Sequence, residues 1–154
     1  MSDHLSHTEL KILPCHDPDL LGRLMPMAKA EGFNFIDRLF SEWFSGTNRF
    51  QNEGETLLMI EVGGVLVGCG GLTRQRERLG RMRRVYIDPD FRNRGMGKAL
   101  VETLVKSARE SFDEIVLFTD NPNAARLYEQ LGFVPEDPRS TPDHATHRLV
   151  LEPI

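Results

Sequence analysis

Cysteine is nearly absent from this chain of 154 residues: Cys15 and Cys69 are too few and too far apart for a disulfide framework or a paired-cysteine zinc clip. A reducing cytoplasm is therefore the expected compartment, and no metal is expected. Tryptophan and tyrosine are few, one and two, although aromatics at 8% of the chain are an ordinary globular share. Long hydrophobic runs are missing too. The longest apolar stretch, residues 56–71, is broken by Glu61 and five glycines, so no membrane span is expected. Residues 1–9 lack the basic start and apolar run of a secretory signal. What is present is ordinary for a globular protein: 40% hydrophobic and 27% charged residues predict one domain over residues 1–154, preceded by a polar tail at 1–7.

The net charge of −4 hides a sharp internal division. Residues 1–73 carry 5 basic and 10 acidic side chains, residues 74–109 carry 11 and 4, and residues 110–154 carry 3 and 9. The basic third contains only Tyr86 and Phe91 as aromatics, so a small phosphorylated ligand fits it better than nucleic acid.

Residues 8–13 alternate weakly as a strand, and Pro14, Asp17 and Pro18 supply a turn and a helix start. Apolar positions at helical spacing then predict one helix from Leu20 to Gly32 and a second, capped by Asn34, that ends at Gly46. Residues 56–62 and 65–72 read as strands joined by a Gly63-Gly64 hairpin. Residues 73–81 are polar and read as a second hairpin loop before a strand at 82–87, which Asp88 and Pro89 stop. A helix from Met96 to about Arg109, a strand at 115–119, a helix at 123–130 and a closing strand at 148–151 complete the pattern. The strand, helix, strand unit implies one parallel pairing in an otherwise antiparallel sheet, an α+β architecture.

The segment Val85-Tyr86-Ile87-Asp88-Pro89-Asp90-Phe91-Arg92-Asn93-Arg94-Gly95-Met96-Gly97-Lys98 carries chemistry. A strand enters a turn rich in arginine and glycine, and a helix begins inside it. The first N–H groups of such a helix have no internal acceptors and point outward with the positive end of the dipole. Gly95 and Gly97 let an anion reach the main chain, while Arg92, Arg94 and Lys98 add charge. A Walker A loop ending in Gly97-Lys98 would need glycine at Arg92 and Ser or Thr at Ala99. A dinucleotide fingerprint beginning at Gly95 would need glycine at Leu100. Both motifs fail.

The segment resembles instead the acetyl-CoA loop of the GNAT superfamily of N-acetyltransferases, Arg or Gln, any two residues, Gly, any, Gly or Ala, met by Arg92, Gly95 and Gly97. A second block, Asn121-Pro122-Asn123-Ala124-Ala125-Arg126-Leu127-Tyr128 followed by Gly132-Phe133, is similar to the family's downstream motif at the usual interval. The resemblance covers the chain from about Thr8 onward. It implies a mixed, twisted sheet of about seven strands with flanking helices, splayed between the Val85 strand and the Ile115 strand.

By position, the resemblance implies that Val85, Tyr86 and Ile87 lie on the strand that holds the acetyl carbonyl and pantetheine arm. Arg92, Asn93, Arg94, Gly95, Met96, Gly97 and Lys98 would hold the pyrophosphate, and Asn121 and Asn123 would face the pantetheine. Tyr128 stands where many members place the acid that protonates the departing thiolate. The implied reaction moves an acetyl group from acetyl-CoA to a primary amine of a small molecule or a protein, with no metal and no covalent enzyme intermediate. Family members often dimerise, so a homodimer is an expectation. A catalytically silent acyl-CoA sensor or scaffold on the same fold is the alternative, and a nucleic-acid module using the basic third is a further one.

The general base is unassigned. The glutamate that many members carry is replaced on the central strand by Arg83, Arg84 and Tyr86, with Val116 and Phe118 on the next, leaving Glu61, Glu77, Asp88 and Asp120 as water-mediated substitutes. Cys69, between Gly68 and Gly70, reads as a plain buried thiol. The cluster Arg74, Arg76, Arg78, Arg81, Arg83 and Arg84 reads either as a solvated loop or as a selector of amines that also carry a carboxylate or phosphate. Most of Phe33, Phe35, Phe40, Trp43, Phe44 and Phe50 read as core, with one or two left for an acceptor pocket polarised by Asn34, Asp37, Arg38 and Glu42. His144 and His147 have metal-like spacing but no third ligand nearby.

Overall fold

Seven strands form one sheet in the order β1-β2-β3-β4-β5-β7-β6 in a computed structural model that describes residues 9–152. The expected tail at residues 1–7, and Thr8 of the first strand, lie outside the described residues. The strands are β1 (Leu10–Pro14), β2 (Thr56–Val62), β3 (Val65–Arg76), β4 (Leu79–Ile87), β5 (Glu114–Leu117), β6 (Val134–Pro135) and β7 (His147–Val150). All neighbours pair antiparallel except β4 and β5, which are joined by the crossover helix α3 (Met96–Ala108). Helices α1 (Leu24–Ala30) and α2 (Phe35–Ser45) follow β1, and α4 (Pro122–Gln130) follows β5.

The β2–β3 hairpin turns at Gly63 and Gly64, whose φ values of 58° and 82° suit a two-residue turn that a β-carbon would strain. Apolar residues separate onto the two faces of the sheet. Leu58, Ile60, Leu72, Met82 and Ile115 pack under Leu100 and Leu104 of α3, and this core continues to Tyr128 and Phe133. Leu57, Cys69 and Tyr86 pack on the other face under Leu24, Ala28, Ile36, Leu39 and Trp43 of α1 and α2. Arg148 of β7 binds Glu136 at 2.8 Å, Glu114 at 2.7 Å and Asp143 at 3.0 Å, tying β5 and β7 to the preceding loop.

The structure corrects four of the sequence expectations. Residues 73–81 are mostly strand: β3 and β4 run on to Arg76 and back from Leu79, with reversal at Glu77 and Arg78. Arginine guanidiniums stacked on rings supply packing there, since that of Arg74 lies 5.1 Å over the Phe112 ring and that of Arg81 4.3 Å over Phe118. The first helix is interrupted, with a 3-10 turn at Pro18–Leu21 and α1 starting only at Leu24. Pro26 has no N–H to continue a helix through this stretch and sits instead in the first turn of α1. Asn34 precedes α2 but makes no side-chain cap bond. Finally, β5 ends at Leu117, and Phe118 to Asp120 leave the sheet.

Candidate functional site

The β4–β5 ladder is short. Leu79 pairs with Glu114, Gly80 with Ile115 and Arg81 with Val116, and there the pairing stops. The remainder of β4, Met82–Ile87, keeps β3 on one side and faces open space on the other. Opposite Gly70, β4 is bulged by Arg84, whose φ of 61° is left-handed. The diverging strands enclose a groove of about 1390 Å³, walled by the ends of β4 and β5, the starts of α3 and α4, and the α1–α2 segment.

At one end of the groove is the start of α3. Gly95 precedes it at φ 81°, no side chain caps its first turn, and nothing lies within 4 Å of where a β-carbon on Gly95 would stand. The first N–H groups of α3 are therefore available to an anion. Gly97 has a packing reason as well, because a β-carbon there would come within 3.2 Å of Leu127 Cδ2 and push α4 away. Lys98 and Asn93 line the same end.

The side chains of two residues expected here turn elsewhere. Arg94 stacks 5.3 Å over Phe91, and Met96 is buried beneath α3 in the core. Arg92 is fully engaged: Nε donates to the Ile87 carbonyl at 2.9 Å, and Nη1 and Nη2 donate to both Glu31 oxygens at 2.6 and 2.8 Å.

Asn121 and Asn123 lie on the α4 side of the groove. Asn121 caps α4, its Oδ1 accepting from the N–H groups of Asn123 and Ala124. The Oδ1 of Asn123 accepts from Arg126. Tyr128 lines the groove from α4, its ring packed edge-on to Phe133 at 5.6 Å. Its hydroxyl bonds to no described residue, and burial raises its pKa, so it stays protonated at neutral pH.

The far wall is built by the α1–α2 segment. Phe33 and Phe35 pack against Tyr86 with centroids 6.2 and 5.7 Å away. The Tyr86 hydroxyl donates to Glu31, and burial together with that carboxylate raises the tyrosine's pKa. The hydrogen bond from Arg92 lowers the pKa of Glu31 despite its partial burial. Glu31 is the participant that sequence reasoning missed; it lies between two helices, outside any motif. The four substitute bases separate. Asp120 lines the groove, whereas Asp88 caps the 3-10 turn Pro89–Phe91 and pairs with Arg23 at 3.0 Å. Glu61 lies in β2, on the far side of β3 from β4, and Glu77 lies at the hairpin tip.

The arginine cluster divides in two. Arg76 pairs with Asp143 at 3.4 Å and Arg78 with Asp113 at 2.9 Å, while Arg74 donates to the Glu53 carbonyl at 2.8 Å. Arg81, Arg83 and Arg84 line the groove together with Arg38 of α2. Glu42 of α2 accepts from Arg84 at 2.9 Å and lies 3.8 Å from Arg83. Burial and the neighbouring Arg84 and Arg81 guanidiniums lower the Arg83 pKa to about 10. Cys69 donates to the Arg84 carbonyl at 3.3 Å, and burial pushes its thiol up to about 12, so it is no nucleophile at neutral pH. His147 bonds Glu129 and Thr146, and His144 bonds the Pro138 carbonyl. Among the described residues no helix is long and apolar enough to cross a membrane.

A strand that parts from its parallel neighbour beside an uncapped, glycine-led helix is the arrangement the sequence resemblance implied, and the comparisons give the family. Residues 22–133 match the model of the acetyltransferase (GNAT) family, and the chain belongs to that family. It is 35% identical over 78 residues to N-alpha-acetyltransferase RimI of Mycobacterium tuberculosis, a match covering 46% of this chain and 47% of that one. The chain spans about half the length, or less, of the curated relatives it matches. A crystal structure from Exiguobacterium sp. 255-15 superposes with a TM-score of 0.77 at 27% identity, covering 92% of this chain and 93% of that one. The yncA protein of Salmonella typhimurium, solved with acetyl-CoA, superposes at 0.67 and 18% identity over 93% and 94%.

Proposed function

We propose that the chain transfers the acetyl group of acetyl-CoA to a primary amine of a small molecule or a protein by direct attack. The observation that carries this reading is the Tyr128 hydroxyl, protonated and bonded to no described residue, in the groove between the α3 cradle and the open edge of β4. Membership of the GNAT family, and the acetyl-CoA held by the similarly folded yncA, support the choice of donor.

Met96, Gly97 and Lys98 offer their N–H groups, and Lys98 its charge, to the pyrophosphate. The bulged edge of β4 near Val85 to Ile87 presents main-chain N–H groups where charge develops on the thioester oxygen. The amine adds to the carbonyl, the C–N bond forms as the C–S bond breaks, and Tyr128 donates its proton to the leaving sulfur. The phenol regains a proton from the acylated nitrogen through water, so amide and free thiol are the products.

Thiol release with acetyl-CoA against amino acids, polyamines, aminoglycosides and peptide N-termini tests the reading. Tyr128→Phe is expected to lower kcat by about 10²-fold or more while leaving acetyl-CoA affinity unchanged. An unchanged kcat would remove Tyr128 from the mechanism. The silent-sensor reading is favoured by one observation: Glu31, which lines the groove, and Glu42, beside the groove's arginines, are bound by Arg92 and Arg84. Acetyl-CoA binding with no turnover on any amine would establish it.

A further inference from the structure

The α3 cradle and the arginine wall are separate centres of positive charge. Arg83 precedes Ile87 by four residues, so about 13 Å of extended strand separates it from the point where the chain leaves for the phosphate loop. One cosubstrate pyrophosphate held at the loop therefore leaves the wall free. On that wall Arg38, Arg81, Arg83 and Arg84 face a single carboxylate, Glu42.

The pairing is incomplete in detail. Glu42 takes one hydrogen bond from Arg84, whose side chain is only 7% exposed, and reaches Arg83 at no better than 3.8 Å. Among the described residues Arg38 and Arg81 make no ion pair. The Nε atoms of Arg81, Arg83 and Arg84 are buried without acceptors. Buried guanidinium N–H groups without partners are costly, and an oxyanion is the group that satisfies them in pairs. A solvated hairpin loop would show none of this, as Arg76 and Arg78 at the hairpin tip illustrate, being exposed themselves and each paired with a carboxylate.

Resting on the transferase reading above, we infer that the acceptor is an amine that also carries a carboxylate or phosphate, held at this wall by Arg83, Arg81 and Arg38. The anion fixes the acceptor, the amine then points along β4 toward Val85, and amines without an anionic group lack the anchor.

The test uses matched pairs: O-phosphoethanolamine against ethanolamine, and β-alanine against its amide, which keeps the amine and lacks the carboxylate. Each is titrated calorimetrically into protein saturated with CoA, which fills the loop end, and each is run in parallel in the thiol-release assay with acetyl-CoA. The anionic member of at least one pair is expected to bind at least about tenfold more tightly, and whichever pair discriminates more names phosphate or carboxylate. Arg83→Gln should bring that ratio close to one and Arg83→Lys should restore part of it. Arg38→Gln, on the exposed surface of α2, should lower it without threatening the fold. Equal affinities within both pairs, or a ratio untouched by both Gln variants, would overturn the inference. Selective, Arg83-dependent binding without turnover of any amine would uphold the anion site and overturn the transferase reading instead.

Discussion

At the loop end of the groove, positive potential comes from the main chain: the bare first turn of α3 behind Gly95, with Lys98 alongside. At the strand end it comes from four guanidiniums lining the groove, Arg84 and Arg83 beside Glu42 and Arg81 stacked over Phe118. The loop end is therefore made by conformation, and the strand end by side-chain identity. A backbone cradle is indifferent to what its side chains are but intolerant of a changed φ. A guanidinium wall keeps its fold through conservative substitution and loses its ligand when a single charge goes.

The largest expected effect follows from that contrast. Gly95→Val forces a β-branched residue into φ 81° and puts a β-carbon into the open space above α3. Such strain costs about 1–3 kcal/mol, or roughly 5- to 150-fold in affinity if it falls on the bound state. Calorimetric titration with acetyl-CoA should show this loss, whereas Arg83→Gln should leave acetyl-CoA affinity within about twofold. Equal losses in the two variants would show that the two ends do not act separately.

The difference between the ends also explains what was legible in the sequence. Left-handed backbone and close approach are written as glycine, so Gly95 and Gly97 stood out, and the apolar spacing after Met96 marked α3 correctly. The mixed sheet of about seven strands and its splay came from resemblance and held. The arginine cluster was visible as a possible anion selector, but its division between groove and hairpin tip was not, because the strand that carries it has no apolar alternation. Arg81 and Arg83 alternate with Gly80 and Met82, and Arg74 to Arg78 look soluble, so residues 73–81 read as loop although stems and cation–π contacts bury much of the pair of strands. Glu31 left no signal at all, since its role depends on the α1–α2 segment lying against Tyr86 and Arg92.

A medium effect is expected at Glu42. Burial by itself would raise its pKa, but the hydrogen bond and charge of Arg84, joined by Arg83, hold it below the usual range. Glu42→Gln keeps a hydrogen-bond acceptor and removes the charge that offsets the wall. A hydrogen bond to a charged group contributes about 1.5–3 kcal/mol, and losing about 1 kcal/mol of it should lower Tm by roughly 2–4 °C for a chain of this size. Phosphate should recover much of that loss, and chloride at equal ionic strength should not. Differential scanning calorimetry in the two salts would decide it, and equal recovery would mean that the wall responds to screening and holds no specific anion.

The smallest effect is expected where the two ends meet, at Glu31. Arg92 lowers its pKa in the folded chain, while unfolded glutamate titrates near about 4.3. A depressed folded pKa contributes stability above the unfolded value, and that contribution is lost as pH falls through the folded one. Glu31→Gln should therefore lower Tm slightly at neutral pH, and its Tm curve should converge on that of the unchanged chain in acid. The same substitution releases the Nη donors of Arg92, which lie at the entrance to the loop end. Acetyl-CoA should then bind a few-fold more tightly at low salt, with the gain fading as ions screen the freed guanidinium. Tighter binding that persists at high salt would assign the effect to loop conformation rather than charge, and weaker binding would make the Glu31–Arg92 clamp a support of the cradle rather than a competitor for its arginine.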